Sequence, residues 1–230
     1  MSKSLRSLVA ALADMDYHVI VSSAAEVGGP LVWPGGLPER VTVYRRENAG
    51  YDFGSWSSVL RAHSQVRSAP FVLLANDSLV GPFASIKPLI ESFERSTTPI
   101  WGGVRSHQFL PHLQSYLVGY RGGNILRRGP IARFWKRVAV QPTKTDVIWK
   151  YELGLPRVLA RARVPVGAMF DGAAISGEAN PTITGWRALL DAGFPFVKRE
   201  LITNPSVAPD AAGVPDEIRR RFGEDVDGWL

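Results

Sequence analysis

In Phe71–Phe83, FVLLANDSLVGPF, five apolar residues run straight into Asn76, Asp77 and Ser78, and the chain then turns at Gly81-Pro82. A short apolar run ending in polar residues reads as a buried strand that carries those groups to its carboxyl tip. The flanking stretches repeat the pattern. Upstream, VTVYRR is a strand that delivers ENAGYDFG, and Phe53–Val66 has helical spacing with Trp56, Val59 and Leu60 facing in. Downstream, a helix over about Phe83–Phe93 leads to a fourth strand, IWGGV. A helix over Leu5–Ala13, a strand over Tyr17–Ser23 and the Gly/Pro-rich loop EVGGPLVWPGGLPER come first. Strands apolar on both faces and alternating with helices predict an α/β fold, a mostly parallel, Rossmann-like sheet flanked by helices. Ligands of such sheets gather at the carboxyl ends of the strands, where both polar clusters fall.

The second half is less regular. LQSYLVGYR reads as a strand, GPIARFWKRVA as a short basic helix, and a longer helix starts near Lys144 and is kinked or split at Pro156. VPVGAMF is a further strand, and a helix opens at Asn180-Pro181-Thr182 and ends near Gly193. The expected organisation is one domain over 1–205, with halves of about 1–104 and 105–205, followed by a polar, acidic tail over 206–230.

Composition removes several function classes. The 230 residues contain no cysteine, which excludes a disulfide framework, a Cys-based zinc site and a thiol nucleophile. The apolar runs are too short for a membrane-spanning helix, and Asp14 and Asp16 break the N-terminal one, unlike a signal peptide. A cytoplasmic protein is the expectation. The net charge of +6 is concentrated: 121–163 holds eleven Lys and Arg against Asp146 and Glu152. Such a block suits an anionic partner, namely ligand phosphates or an acidic membrane face, or is simply a solvated helical face. No nucleic-acid fold signature accompanies it, so nucleic acid is not expected.

Two clusters carry candidate chemistry. In RENAGYDFG, Asn48 and Gly50 lie between strand and helix, where glycine admits a close approach and a helix N-terminus favours an anion. Tyr51 would stack on a base or sugar, and Asp52 sits at the expected cap; cap and turn chemistry alone is the competing reading. In NDS, Asp77 between Asn76 and Ser78 suits a divalent cation bridging diphosphate oxygens, or direct hydrogen bonds to sugar hydroxyls. An Asx-turn closing the strand is the alternative.

The ordered strings RENAGYDFGSW, FVLLANDSLVGPF, WGGVRS, HLQSYLVGY, FWKRV, IWKYELGL and GFPFVKREL resemble the rhamnan synthesis protein F family of bacterial polysaccharide glycosyltransferases. The resemblance runs over roughly Arg45–Leu201. It is similar more widely to GT-A glycosyltransferases, where an N-x-G element precedes a helix and a strand ends in an acidic D-x-D signature. Asn48 and Gly50 match the first element, and Asn76-Asp77-Ser78 stand in place of the second. The sequence departs in having one acid where the signature has two, and in showing no opening strand before the first helix.

The resemblance implies transfer of a deoxysugar, L-rhamnose from dTDP-L-rhamnose, onto a growing, lipid-linked polysaccharide with inversion. The implied partners are a nucleotide-sugar donor, a glycan or lipid-linked glycan acceptor, and an anionic inner membrane face met by 121–163. Glu152, flanked by Trp149, Tyr151 and Leu153, would take the acceptor proton; an ion pair with Arg157 or Arg121 is its alternative. Lys198 and Arg199 would neutralise the departing diphosphate, or are surface charges. His112, Gln114 and Tyr116, two residues apart on one strand face, would line the acceptor pocket, or are satisfied edge polars. Mg²⁺ or Mn²⁺ on Asp77 and metal-independent chemistry both stay open. A catalytically silent carbohydrate-binding or scaffolding subunit is the reading from another class.

Overall fold

The computed structural model describes residues 1–24, 31–122 and 124–230. The first part of the Gly/Pro-rich loop, 26–30, lies outside the described residues. Helix α1 (Lys3–Ala13) starts where the Ser2 hydroxyl accepts from Leu5 N at 3.3 Å, and buries Val9 and Leu12. Strands β1 (Val19–Ser23) and β2 (Val41–Arg45) pair in parallel, Val19 opposite Val41, and Val9, Val21 and Val41 form a small core between them. Helix α2 (Tyr51–Ala62) follows, then β3 (Phe71–Ala75), β4 (Leu79–Val80) and α3 (Lys87–Arg95). Strands β5 (Ile100–Ser106), β6 (His112–Leu113) and β7 (Leu117–Arg121) lead to α4 (Gly129–Lys136) and α5 (Lys144–Val147). A wider π-type turn, Ile148–Glu152, joins α5 to α6 (Gly154–Arg161). Then come β8 (Val166–Asp171), α7 (Gly172–Ile175), α8 (Trp186–Asp191), β9 (Val197–Lys198), α9 (Arg199–Thr203) and α10 (Val214–Phe222).

The expected mostly parallel Rossmann-like sheet is not what forms. The central sheet runs β3-β7-β5-β6 with every neighbour antiparallel, and only β8 joins β5 in parallel. β1 and β2 make a separate two-stranded parallel pair. The reason is connection length. Parallel neighbours need a crossover of about a dozen residues or more, usually a helix, and no helix separates β5, β6 and β7. Burial on both faces, which suggested parallel strands, comes instead from helices packed on both sides of an antiparallel sheet.

The sheet sorts its side chains with period two. Val72, Leu74, Ile100, Val118 and Tyr120 face one core with Phe53, Trp56, Leu60 and Trp135 from α2 and α4. Trp101, Leu117, Phe71 and Leu73 face the other, with Ile90 and Phe93 from α3. Gly119 lets that second layer close: a Cβ there would overlap the Phe93 ring.

Residues 206–230, read from sequence as a loose polar tail, fold. Val214, Ile218, Val226 and Trp229 are buried against Val80, Trp186 and Leu201. Ser4 Oγ donates to Trp229 O at 2.6 Å and accepts from Gly81 N at 3.3 Å, so both chain ends meet the turn after β4.

Candidate functional site

The pairing of β4 with β9, Leu79 opposite Lys198, brings the NDS turn against Lys198 and Arg199 across 122 positions of chain. Arg199 N donates to Ser78 O at 2.8 Å, and Arg199 Nε to Asp77 O at 2.9 Å. Asn76 is the hub of the turn. Its Oδ1 accepts from Ser78 N at 3.1 Å and from Ser78 Oγ at 2.7 Å, an Asx-turn. Its Nδ2 donates to Asp52 Oδ2 at 2.8 Å. The local-turn reading of NDS holds for Asn76 and Ser78, which are spent on the turn, and this leaves the exposed Asp77 side chain at its tip.

On the other side, Gly50 (φ 79°) is the cap of α2, and Asp52 lies in its first turn instead of capping it. Tyr51 is held at φ 54°, a left-handed conformation costly for a tyrosine, and its ring is exposed. Gly54 serves packing: a Cβ there would sit 2.7 Å from the Ala49 carbonyl oxygen, which Arg46 also hydrogen-bonds. Asn48, Tyr51, Asp52, Asn76 and Asp77 all line one cleft of about 990 Å³, whose other wall is α1 and β1. Asn48 and Asp77 thus open onto a shared hollow.

Burial pushes the Asp52 carboxyl above its usual 3.8; the Asn76 hydrogen bond opposes this, Asp77 and Glu152 add to it, and Lys144 opposes it. Burial likewise lowers the Lys198 ammonium from 10.5, with Lys144 helping and Glu152, Glu200 and Asp52 pulling upward. The Lys198 Nζ lies 5.0 Å from the Tyr116 ring centroid. Burial raises the Tyr116 hydroxyl, Thr182 moderates the shift, and Glu152 adds to it. Asp52, Asp77, Glu152, Lys144, Lys198 and Tyr116 thus form one electrostatic cluster. Glu152 ends the π-type turn, and its Oε1 accepts a long hydrogen bond from Ser115 N at 3.4 Å. The alternative reading of Glu152, an ion pair with Arg157 or Arg121, is absent among the described ion pairs.

His112, Gln114 and Tyr116 do not share a strand face. β6 ends at Leu113 and β7 begins at Leu117, so Gln114 and Tyr116 lie in the connection. All three are buried. Tyr116 lies under Lys198, whereas His112 is held by the Leu110 carbonyl at 2.8 Å beside a separate cavity.

Two groups escaped the sequence reading. Lys144 figured there as a helix start and as one of eleven basic residues, not as a site residue, yet its charge bears on both Asp52 and Lys198. Asp171, at the end of β8, pairs with His107 Nε2 at 3.0 Å and Arg105 at 3.4 Å. Burial pushes Asp171 upward, but His107, the Ala173 N–H and Arg105 outweigh it and hold the carboxyl low. An acid at the tip of a strand was the available signal, the same one that marked Asp77.

Among the described residues, no three His, Asp or Glu side chains gather as a metal site, and no helix is long and apolar enough to cross a membrane. Comparison with known families gives a match over residues 40–227 to the model described as rhamnan synthesis protein F. The chain belongs to that family. Two proteins named virulence protein VirA, from Vibrio anguillarum strain ATCC 68554 / 775 and from Vibrio anguillarum, are 28% identical to it over 75% of this chain. The chain spans 66% of their length. No solved structure matches it. As its description states, the rhamnan synthesis protein F family belongs to polysaccharide synthesis.

Proposed function

We propose that this chain is an inverting glycosyltransferase of polysaccharide synthesis, moving a deoxysugar from a nucleotide donor, dTDP-L-rhamnose, onto a growing lipid-linked glycan. The observation that carries the reading is that Asp77 and the Asp52–Asn76 pair line the 990 Å³ cleft, with Arg199 bonded to the Asp77 carbonyl and the charge of Glu152 bearing on both Asp52 and Lys198. Asn48, Gly50 and Tyr51 wall in the nucleotide, and Asp77 and Asp52 take sugar hydroxyls. An acceptor hydroxyl attacks the anomeric carbon, the bond from that carbon to the phosphate oxygen breaks, and Glu152 receives the hydroxyl proton. The charge released on the diphosphate falls to Lys198, Lys144 and the guanidinium of Arg199, held in place before reaction. Tyr116 supports Lys198 from below, and Gln114 and His112 shape the acceptor side. A divalent cation on Asp77 would need the donor phosphates to complete its shell, since the protein groups do not close round one, so no step here runs through a metal. The exposed basic residues of 121–163 hold the enzyme against an anionic membrane face.

The test is a screen of nucleotide sugars for donor hydrolysis and transfer, with and without EDTA, on the wild type, Asp77→Ala and Glu152→Gln. Glu152→Gln is expected to lose about 10²–10⁴-fold in transfer while still binding donor. Turnover unchanged in both variants sinks the assignment. Glycan binding with no nucleotide-dependent turnover in the wild type makes the chain a carbohydrate-binding subunit instead.

A further inference from the structure

The 990 Å³ cleft is bounded by two strand edges as well as by side chains. Val19 to Ser22 and Phe71 to Asp77 line it residue after residue. Successive side chains of a strand point to opposite faces, so a hollow that meets each in turn lies along the strand's edge. Among the described residues, β1 pairs only with β2 and β3 only with β7. The ladders fix which backbone groups are left over. Val19 N donates to Arg40 O at 2.8 Å, and Arg46 N to Ser23 O at 3.0 Å. Val19, Val21 and Ser23 therefore bond β2, and Ile20 and Ser22 turn their N–H and C=O to the cleft. Asn76 N donates to Tyr116 O at 3.3 Å, and Gly122 N to Pro70 O at 2.9 Å. Val72 and Leu74 therefore bond β7, and Phe71, Leu73 and Ala75 turn theirs to the cleft. Of these groups, one meets a described partner: Ala75 O accepts from Trp56 Nε1 at 3.1 Å.

The two edges run the same way. Where they begin, Glu94 joins them, its Oε1 accepting from the Tyr17 hydroxyl at 2.8 Å and its carbonyl from Arg121, opposite Phe71, at 2.6 Å. Where they end, Asn76 after β3 bonds Asp52 in the helix after β2. Leu8 and Leu12 of α1 cover one face of the gap, and Trp56 and Leu60 of α2 the other. Asp16 and Glu94 flank its beginning, and among the described residues no Lys or Arg lines it.

We propose that this gap takes an extended strand donated by a separate partner protein, five residues long like β1 and β3, apolar on both faces and led by basic residues. A hydrocarbon would fill the space but leave the facing N–H and C=O groups unmet; a polypeptide backbone pairs with both edges. Running parallel to β1 and β3, the strand sets its basic leader against Asp16 and Glu94, and its carboxyl end arrives beside Asn48 and Asp77. It thereby closes the donor side of the cleft. That consequence rests on the transferase reading; binding of the strand does not.

The probe is an amidated peptide of two lysines followed by five valines and isoleucines, the length of β1 and β3. Amide hydrogen exchange, read by NMR with no donor present, is expected to be fast at Ile20, Ser22 and Leu73 and slow at Val21, Val72 and Leu74 in the protein alone. Saturating peptide is expected to slow the first three by about tenfold or more. The same peptide N-methylated at alternate residues keeps its side chains and loses one row of N–H groups, and is expected to bind about tenfold more weakly or worse. Equal affinity of the two peptides means apolar filling without strand pairing and overturns the proposal. So does slow exchange at Ile20 and Leu73 in the protein alone, which would mean that the edges are already closed. Protection that appears when the protein alone is concentrated assigns the gap to a second copy and overturns the separate partner. Peptide binding with full protection and no turnover of any nucleotide sugar would sink the transferase reading and leave the strand site standing.

Discussion

Asp52 is where the site works against the fold. Its carboxyl is raised above 3.8, first by burial, so the folded state holds the proton more tightly than the unfolded state does. Stability that is present below the ordinary carboxyl range is therefore lost as pH rises through the folded value. Asp52→Asn keeps an oxygen for Asn76 Nδ2 and removes a like charge from Asp77 and Glu152. The variant is expected to be more stable than the wild type near neutrality, and urea midpoints of the two should converge as pH falls toward 3.8. A variant less stable at neutral pH means that Lys144 or another cation holds the carboxylate. Site residues of this kind were legible in part. Asn76, Asp77 and Asp52 could be named because polar groups at a strand tip and a helix start stand out against apolar neighbours. Lys144 could not, since one lysine among eleven basic residues in 121–163 has no local mark, and only the packing of α5 brings its charge to Asp52. Lys198 and Arg199 could be named from their string, but not their distance from Asp77, because that depends on a two-residue strand pairing that no periodicity reveals.

At the scale of elements, most strands and helices were readable, and their pairing was not. Phe71–Ala75 falls where its apolar run puts it, and Val41–Arg45 where its β-branched residues do. The continuous apolar runs of IWGGV and LVGY say that both faces are buried, and that is equally true of a parallel sheet and of an antiparallel one under helices. The long helix expected from Lys144 breaks into α5, the π-type turn and α6, which puts Pro156 in the first turn of α6, where its missing N–H costs nothing. The glycines carry the antiparallel packing. Gly119→Ala forces a methyl into the Phe93 ring, which is 0% exposed and packed edge-on against Phe71 and tilted against Trp101, with no room to retreat. Overpacking of this kind is expected to cost about 1–3 kcal/mol in urea unfolding. Gly122→Ala, where a Cβ meets nothing within 4 Å but φ is +91°, separates backbone strain from overlap. Equal losses at both positions would remove the overlap account.

Over the whole molecule, the chain ends are structural and the basic block is the outer face. The acidic, Pro-punctuated residues 206–230 look like a tail because few residues, among them Ala208, Ala211, Val214, Ile218, Val226 and Trp229, mark their buried side, and their spacing follows no single helix. Ion pairs of Arg187 with Asp210 and Glu217, and of Arg221 with Asp191, tie this segment to α8. The block at 121–163 is different: Arg127, Arg128, Arg133, Lys136 and Arg137 are exposed, none is in a described ion pair, and the exposed rings of Phe109 and Trp149 stand 5.7 Å apart as a second kind of anchor. Exposed cations and an exposed aromatic pair on one molecule both suit a surface with anionic headgroups over an apolar layer. Each basic residue near such a surface contributes about 1 kcal/mol, so Arg133→Gln with Lys136→Gln is expected to weaken binding to phosphatidylglycerol vesicles by about thirtyfold. Adding salt should weaken the wild type more than the variant, because fewer charges remain to be screened. Phe109→Ser should lower affinity without altering the salt dependence. If vesicle binding ignores both salt and the double substitution, the basic face is a solvated one and the acceptor must reach Glu152 by another side.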